Sequence, residues 1–208
     1  EPHAFKVTAT KNKGFVRKSA LAPYYFQTDN GEPYFAIGHN VCWTGAQGTY
    51  EYDKYFEKMS SAGENYTRLW MIDWSLGLEY PAKLDPEFDG LGRYNLANAN
   101  RLDYLLDLAE KKGIYIMLCM DSFSNLKNKG DLARFKDYPY SSTQLGPCNS
   151  PEEFFTNPKA KGYYKKRLRY IIARYGYSTH LLAWEFWNEV DLTENYNPTN
   201  VEKWHQEM

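Results

Sequence analysis

The stretch LLAWEFWNE, positions 181–189, closes an apolar run with two carboxylates, Glu185 and Glu189, and an amide, Asn188. An unpaired buried carboxylate is costly, so a strand that only packed would not carry these groups. Other apolar runs also end in polar residues: His39 and Asn40, then Asp73, then Asp121. Three chemistries would use such strand ends. Metal-assisted hydrolysis needs clustered His and Asp ligands. The four histidines (His3, His39, His180, His205) are scattered, so neither a metal site nor another cofactor is expected. Nucleotide binding in an open α/β sheet needs a glycine-rich turn after the first strand, and HNVCWTGAQG, which follows YFAIG, is no such turn. Sugar binding uses flat aromatic faces. Aromatics make up 17% of the chain, with 19 Tyr and 6 Trp, although a packed core also accounts for many of them.

The elements that would hold these residues alternate along the chain. Residues 1–33 read as extended and turn-rich, with FKVTAT alternating and TDNGEP a turn cluster. YFAIG (34–38) is a short apolar strand. Tyr52, Tyr55, Phe56 and Met59 follow helical spacing, with Gly63 past the end. NYTRLWM (65–71) is the next strand. Leu102, Leu105, Leu106 and Ala109 mark a second helix that stops at Gly113, and IYIMLCM (114–120) is a third strand. Asn157 and Pro158 cap a third helix lined by Tyr164, Leu168, Ile171, Ile172 and Tyr175, which Gly176 ends. LLAWEFW (181–187) is the fourth strand. Apolar strands alternating with helices imply a parallel sheet, as an open doubly wound sheet or a (β/α)₈ barrel. Polar residues at the C-terminal end of every strand favour the barrel, which builds its active site there.

Bulk properties narrow the partners. The 208 residues carry a formal net charge of -1, which gives no electrostatic reason to expect nucleic acid or an anionic membrane surface. No apolar run approaches the ~18 residues of a membrane span. The N-terminal EPHAFKVTAT lacks a signal pattern, so the chain is either cytoplasmic or numbered after removal of a leader. Cys42, Cys119 and Cys148 match no zinc spacing and read as free thiols.

From about Phe15 to Trp204 the sequence resembles the N-terminal half of a clan A glycoside hydrolase, a (β/α)₈ barrel of the cellulase-like group with a preceding β-sandwich domain. GFVRKSALAPYYFQTDNGEPYFAIGHNVCW resembles the sandwich-to-barrel junction. AGENYTRLWM resembles the second-strand motif with its arginine. RLRYIIARYGYSTHLLAWEFWNEVD resembles the third helix and the fourth strand with its Asn-Glu pair. The resemblance implies a junction segment over 1–33 and the first four βα units of a barrel over 34–208. It also implies a retaining O-glycosyl hydrolase acting on a β-linked polysaccharide or oligosaccharide, secreted or periplasmic. Such enzymes use two carboxyl groups about 5–5.5 Å apart. By resemblance Glu189 is the acid/base, with a pKa expected above the ordinary value. Asn188 would bind the sugar 2-hydroxyl, and Arg68 would orient the nucleophile.

Several roles stay open. Arg68 pairs either with that nucleophile or with Glu185 in the core. Glu185 and Trp187 would share Glu189's face by strand alternation, with Glu185 a structural partner and Trp187 a substrate contact. His39 is a sugar ligand or a satisfied strand-end histidine, and Asn40 is a further substrate contact. Trp43, Trp70 and Trp74 are sugar platforms or packing residues. Asp121 bonds substrate or caps a helix or turn. The basic residues of 158–176, Arg167 among them, fit an exposed helical face. The family's nucleophile lies on the seventh strand, and a whole barrel takes roughly 250 residues. The chain is therefore expected to be inactive alone, and to pair with itself or with a complementary C-terminal half-barrel. The alternative is a catalytically incomplete, carbohydrate-binding half-domain.

Overall fold

The computed structural model describes residues 11–208; the FKVTAT segment and His3 lie outside the described residues. Two units divide the chain, one reaching Ala36 and the other spanning Ile37–Met208. In the first, β1 (Val16–Lys18), β2 (Phe26–Thr28) and β3 (Pro33–Tyr34) form an antiparallel sheet in that order. The TDNGEP cluster is the hairpin turn between β2 and β3. Gly31 takes φ 88° there, a left-handed conformation that glycine accepts without a side-chain clash. The Thr28 N–H closes the turn on the Glu32 carbonyl at 2.9 Å.

The second unit repeats strand and helix. Helix α1 (Glu51–Ser61) buries Tyr52, Phe56 and Met59, and the chain leaves it through Gly63 at φ 81°. Strand β4 (Tyr66–Trp70) leads to α2 (Leu96–Lys112), whose Asn95 cap accepts the Asn98 N–H and whose end is Gly113 in the left-handed region. Strand β5 (Tyr115–Cys119) leads to α3 (Pro158–Tyr175), capped by the Asn157 side chain at the Lys159 and Ala160 N–H groups. Strand β6 (Leu181–Glu185) leads to α4 (Pro198–Glu207). β4, β5 and β6 pair in parallel in that order, with Arg68 opposite Met117 and Cys119 opposite Glu185. Alternation sends Leu69, Ile116 and Leu118, all fully buried, into the helix-side core. The other face carries Arg68 and Glu185.

Three expectations are corrected. YFAIG is not one strand: Tyr34 belongs to the antiparallel sheet, and only Gly38 pairs in parallel, with Tyr66. Asn65 takes over the pairing between them, since its side chain accepts the Ile37 N–H at 2.8 Å and its own N–H donates to the Ile37 carbonyl at 2.7 Å. At Gly38 a Cβ would stand 1.9 Å from the Tyr66 carbonyl oxygen, so the close approach requires glycine. The fourth strand ends at Glu185, two residues short of Trp187. Ile172, expected on the buried stripe of α3, is 55% exposed, whereas Arg167 is buried. The stripe actually runs through Ala160, Tyr164, Arg167, Leu168, Ile171 and Tyr175. No helix among the described residues is long and apolar enough to cross a membrane.

Candidate active site

Arg68 projects from β4 and Glu185 from β6, and the two meet across β5. The guanidinium is bidentate: Nε donates to Glu185 Oε2 at 3.0 Å, and Nη2 donates to Oε1 at 2.6 Å. Burial opposes the Arg68 charge, but the Glu185 pair outweighs it, so the guanidinium titrates above its ordinary value. Nη2 also donates to Asn188 Oδ1 at 3.2 Å, and Asn188 Nδ2 donates to Glu189 Oε2 at 2.9 Å. A relay of hydrogen bonds thus runs from a half-buried ion pair to the carboxylate of Glu189.

The backbone fixes the last two members. The Asn188 N–H donates to the Asp121 carbonyl at 2.9 Å, and its carbonyl accepts the Phe123 N–H at 3.0 Å. Glu189 then turns into the left-handed region at φ 53°. That conformation is uncommon for a side chain with a Cβ and tends to be kept at functional sites. It lifts Glu189 out of the strand line, so the carboxylate is exposed over a cleft of about 580 Å³. Asn40, Trp43, Arg68, Trp70 and Asn188 line this cleft with Glu189. The Trp70 ring lies 5.3 Å from the Arg68 guanidinium, a cation–π contact.

The remaining candidates stand elsewhere. Trp187 does not share Glu189's face. The chain leaves strand geometry after Glu185, and Trp187 turns to the helix side, where it stacks on Tyr164 (6.4 Å, 14°) and meets Phe154 edge-on. His39 does not line the cleft; its Nδ1 lies 2.6 Å from Glu64 Oε2. Trp74 lines a separate cavity beside α1 and α2. Asp121 is 1% exposed and is neither a cap nor a cleft residue. It accepts from Arg167 Nη1 at 3.0 Å, Asn125 Nδ2 at 2.8 Å and the Tyr138 hydroxyl at 3.1 Å. Asp73 pairs with Arg134. Sequence reasoning missed Tyr55, Val41 and Cys42 as cleft residues, since an aromatic on a helical stripe reads as core.

It also missed the buried cluster around Arg167. Helical spacing would have revealed it, because Arg167 sits three residues after Tyr164 and four before Ile171. Glu79, 2% exposed, lies 4.0 Å from Arg167 and accepts the Gly92 N–H through its other oxygen. Two carboxyls share one cation, and Asp121 holds three donors, so Glu79 is the less compensated of the two. Burial pushes its pKa up to about 7. The cluster ties the loops 72–95 and 121–156 to α3. Folding raises the Glu79 pKa above the ordinary value. The corresponding stability is therefore complete below about pH 4.5 and is lost as pH rises through about 7. The wild-type urea midpoint should fall between pH 5 and pH 8, by at most roughly 3 kcal/mol in stability. Glu79→Gln should remove that fall; an unchanged pH profile in the variant would place the proton elsewhere. Among the described residues no group of His, Cys, Asp or Glu is placed to hold a metal ion.

A family model described as Cellulase (glycosyl hydrolase family 5) matches residues 28–208. Mannan endo-1,4-beta-mannosidase 1 of Oryza sativa subsp. japonica is 30% identical over 212 residues, covering 94% of this chain and 45% of the rice protein. Mannan endo-1,4-beta-mannosidase 5 of Solanum lycopersicum is 28% identical over 211 residues, 95% of this chain and 47% of the tomato protein. The chain spans about half the length of the curated relatives it matches. Among solved structures, the beta-mannanase of the blue mussel Mytilus edulis superposes with a TM-score of 0.58 at 15% identity, over 86% of this chain and 46% of the mussel chain. An exo-beta-1,4-mannosidase from Opitutaceae bacterium strain TAV5 reaches 0.63 at 21% identity, over 88% of this chain and 30% of that one. The shared feature is the fold, a parallel β/α arrangement of the barrel type.

Proposed function

The chain belongs to the cellulase family, glycosyl hydrolase family 5, and from that premise we propose that it carries the acid/base side of a retaining β-glycosidase site acting on a mannan-type polysaccharide. The observation that carries this reading is Glu189, exposed over the cleft and held through Asn188 by the Arg68–Glu185 pair. Protonated, Glu189 gives its proton to the departing glycosidic oxygen; as a carboxylate, it then takes a proton from the attacking water. Asn188 lies beside it and is placed to bond a sugar hydroxyl. Trp43 and Trp70 offer flat apolar faces to the C–H faces of the ring. Mannan as substrate rests on the names of the relatives. A polymer of that size is met outside the cell, which favours a secreted protein.

Among the described residues Glu189 is the single carboxylate lining the cleft, and Glu185 is occupied by Arg68. The nucleophile, placed about 5–5.5 Å from Glu189 in a retaining site, is therefore supplied from outside these residues. In the complete site Arg68 would turn part of its donor set to that carboxylate. Among the described residues β6 ends the parallel sheet, and its outer edge is where a complementary half-barrel or a second copy would pair. A preparation of the 208-residue chain, its mass confirmed, should not turn over an aryl β-mannoside above background, because an acid without a nucleophile cannot form the glycosyl-enzyme. Robust turnover by that preparation would overturn the division of the two carboxylates.

A further inference from the structure

A second cavity, of about 620 Å³, opens beside the N-terminal ends of α1 and α2. Its wall carries Trp74, Tyr50 and Tyr104 with Gln47, Asn100 and Arg101. The three aromatics are exposed, Tyr50 to 78%. Isolated exposed aromatics are ordinary, but several lining one cavity mark a binding surface. The Tyr104 hydroxyl donates to Asp53 Oδ1 at 2.5 Å, and its ring lies 6.4 Å from Tyr50 at 65°. The Arg134 guanidinium sits 4.9 Å from the Trp74 ring. These contacts orient the rings.

The cavity joins the Glu189 cleft through aromatic contacts. Trp43 lines that cleft and meets Trp70 edge-on at 5.3 Å; on its other side it meets Trp74 edge-on at 5.8 Å. The chemistry of the wall is neutral. Arg101 Nη1 donates to Asn98 Oδ1 at 2.5 Å, and Glu87 lies 3.9 Å from the same nitrogen, so its charge is countered. Ring faces edged by amide and hydroxyl groups suit a neutral, polyhydroxylated ligand better than an anion.

We infer that this second cavity is a carbohydrate-binding site that holds distant units of the same β-linked chain whose nearer units lie in the Glu189 cleft, with Tyr50 as an outer sugar platform. The inference rests on the glycosidase reading, and the test separates the two.

The 208-residue chain, which is expected not to turn substrate over, is titrated with β-1,4-linked mannobiose and mannohexaose. Tyr50→Ala should raise the Kd for the hexaose about five- to tenfold, the scale of one lost aromatic contact, and leave the biose unchanged. Tyr50→Trp should restore hexaose binding. Tyr50 is exposed, so circular dichroism of the variants should match the parent. An unchanged hexaose Kd would overturn the inference while leaving the glycosidase reading intact. Equal weakening of both sugars would also overturn it, since Tyr50 would then act on the cleft itself. If neither sugar binds the parent protein, the glycosidase reading fails, and this inference fails with it.

Discussion

Glu189→Gln, in a polypeptide long enough to complete the barrel, should lower turnover of natural glycosides by about 10²–10⁴-fold, the contribution of general acid catalysis. Glutamine keeps the hydrogen bond to Asn188 and the shape of the site but cannot give a proton. A sugar alkoxide leaves poorly without one. A substrate with a very acidic leaving group needs no protonation, so its first step should be spared, and the glycosyl-enzyme should accumulate because no base activates water. Glu185→Gln should behave differently. It weakens the bidentate pair with Arg68, and the loss should show as lower stability or expression with no dependence on leaving group. Rates measured across a series of aryl glycosides would show the contrast. Exchanged behaviours would make Glu185 the acid, and no leaving-group dependence in either variant would end the glycosidase assignment.

Arg167→Met should be among the most destabilising changes in the second unit, by about 3–5 kcal/mol, as for other buried pairs broken on one side. Arg167 is 4% exposed and bonds both Asp121 and the Met120 carbonyl, with its guanidinium 5.1 Å from the Tyr164 ring. Removing it leaves Asp121 buried beside Glu79 without a cation. Asp121 would then take up a proton or open the loop above it. The double variant Arg167→Met with Asp121→Leu should recover part of the loss, since replacing both partners removes the stranded charge. Urea midpoints of the three proteins decide the matter. A loss below about 1 kcal/mol in Arg167→Met, the scale of an exposed pair, would mean the cluster contributes little.

The helices were legible because their signals are local. Asn157 with Pro158, Gly63 and Gly113 mark helix ends through backbone hydrogen bonding and φ alone. The strand run 115–119 was legible from its continuous apolar character, and 66–70 lies inside NYTRLWM, the next strand in the alternation. Long-range arrangements were not. YFAIG is apolar enough for one strand, but which sheet takes Tyr34 and which takes Gly38 is settled by pairing partners distant in sequence. Alternation was carried past the end of β6, although the strand stops at Glu185, and this put Trp187 on the wrong side. Asp121 stands at a strand end, as an active-site residue would. What turns it inward is Arg167, 46 residues later on α3. In contrast, the Arg68–Glu185 pair was one of two partners open to Arg68, since a guanidinium drawn out of water needs a carboxylate, and the role of Glu189 came from the family resemblance.

The most direct test of Glu189 as the acid/base uses azide with Glu189→Ala in the complete enzyme and an activated aryl β-mannoside. Azide attacks the glycosyl-enzyme without base assistance, on the face that the missing carboxylate leaves open. Two inversions in sequence give net retention. The account predicts faster turnover with azide and a β-mannosyl azide product, identified by the anomeric proton signal. An α-mannosyl azide would make Glu189 the nucleophile, and turnover indifferent to azide, with no azide product, would remove Glu189 from the chemistry.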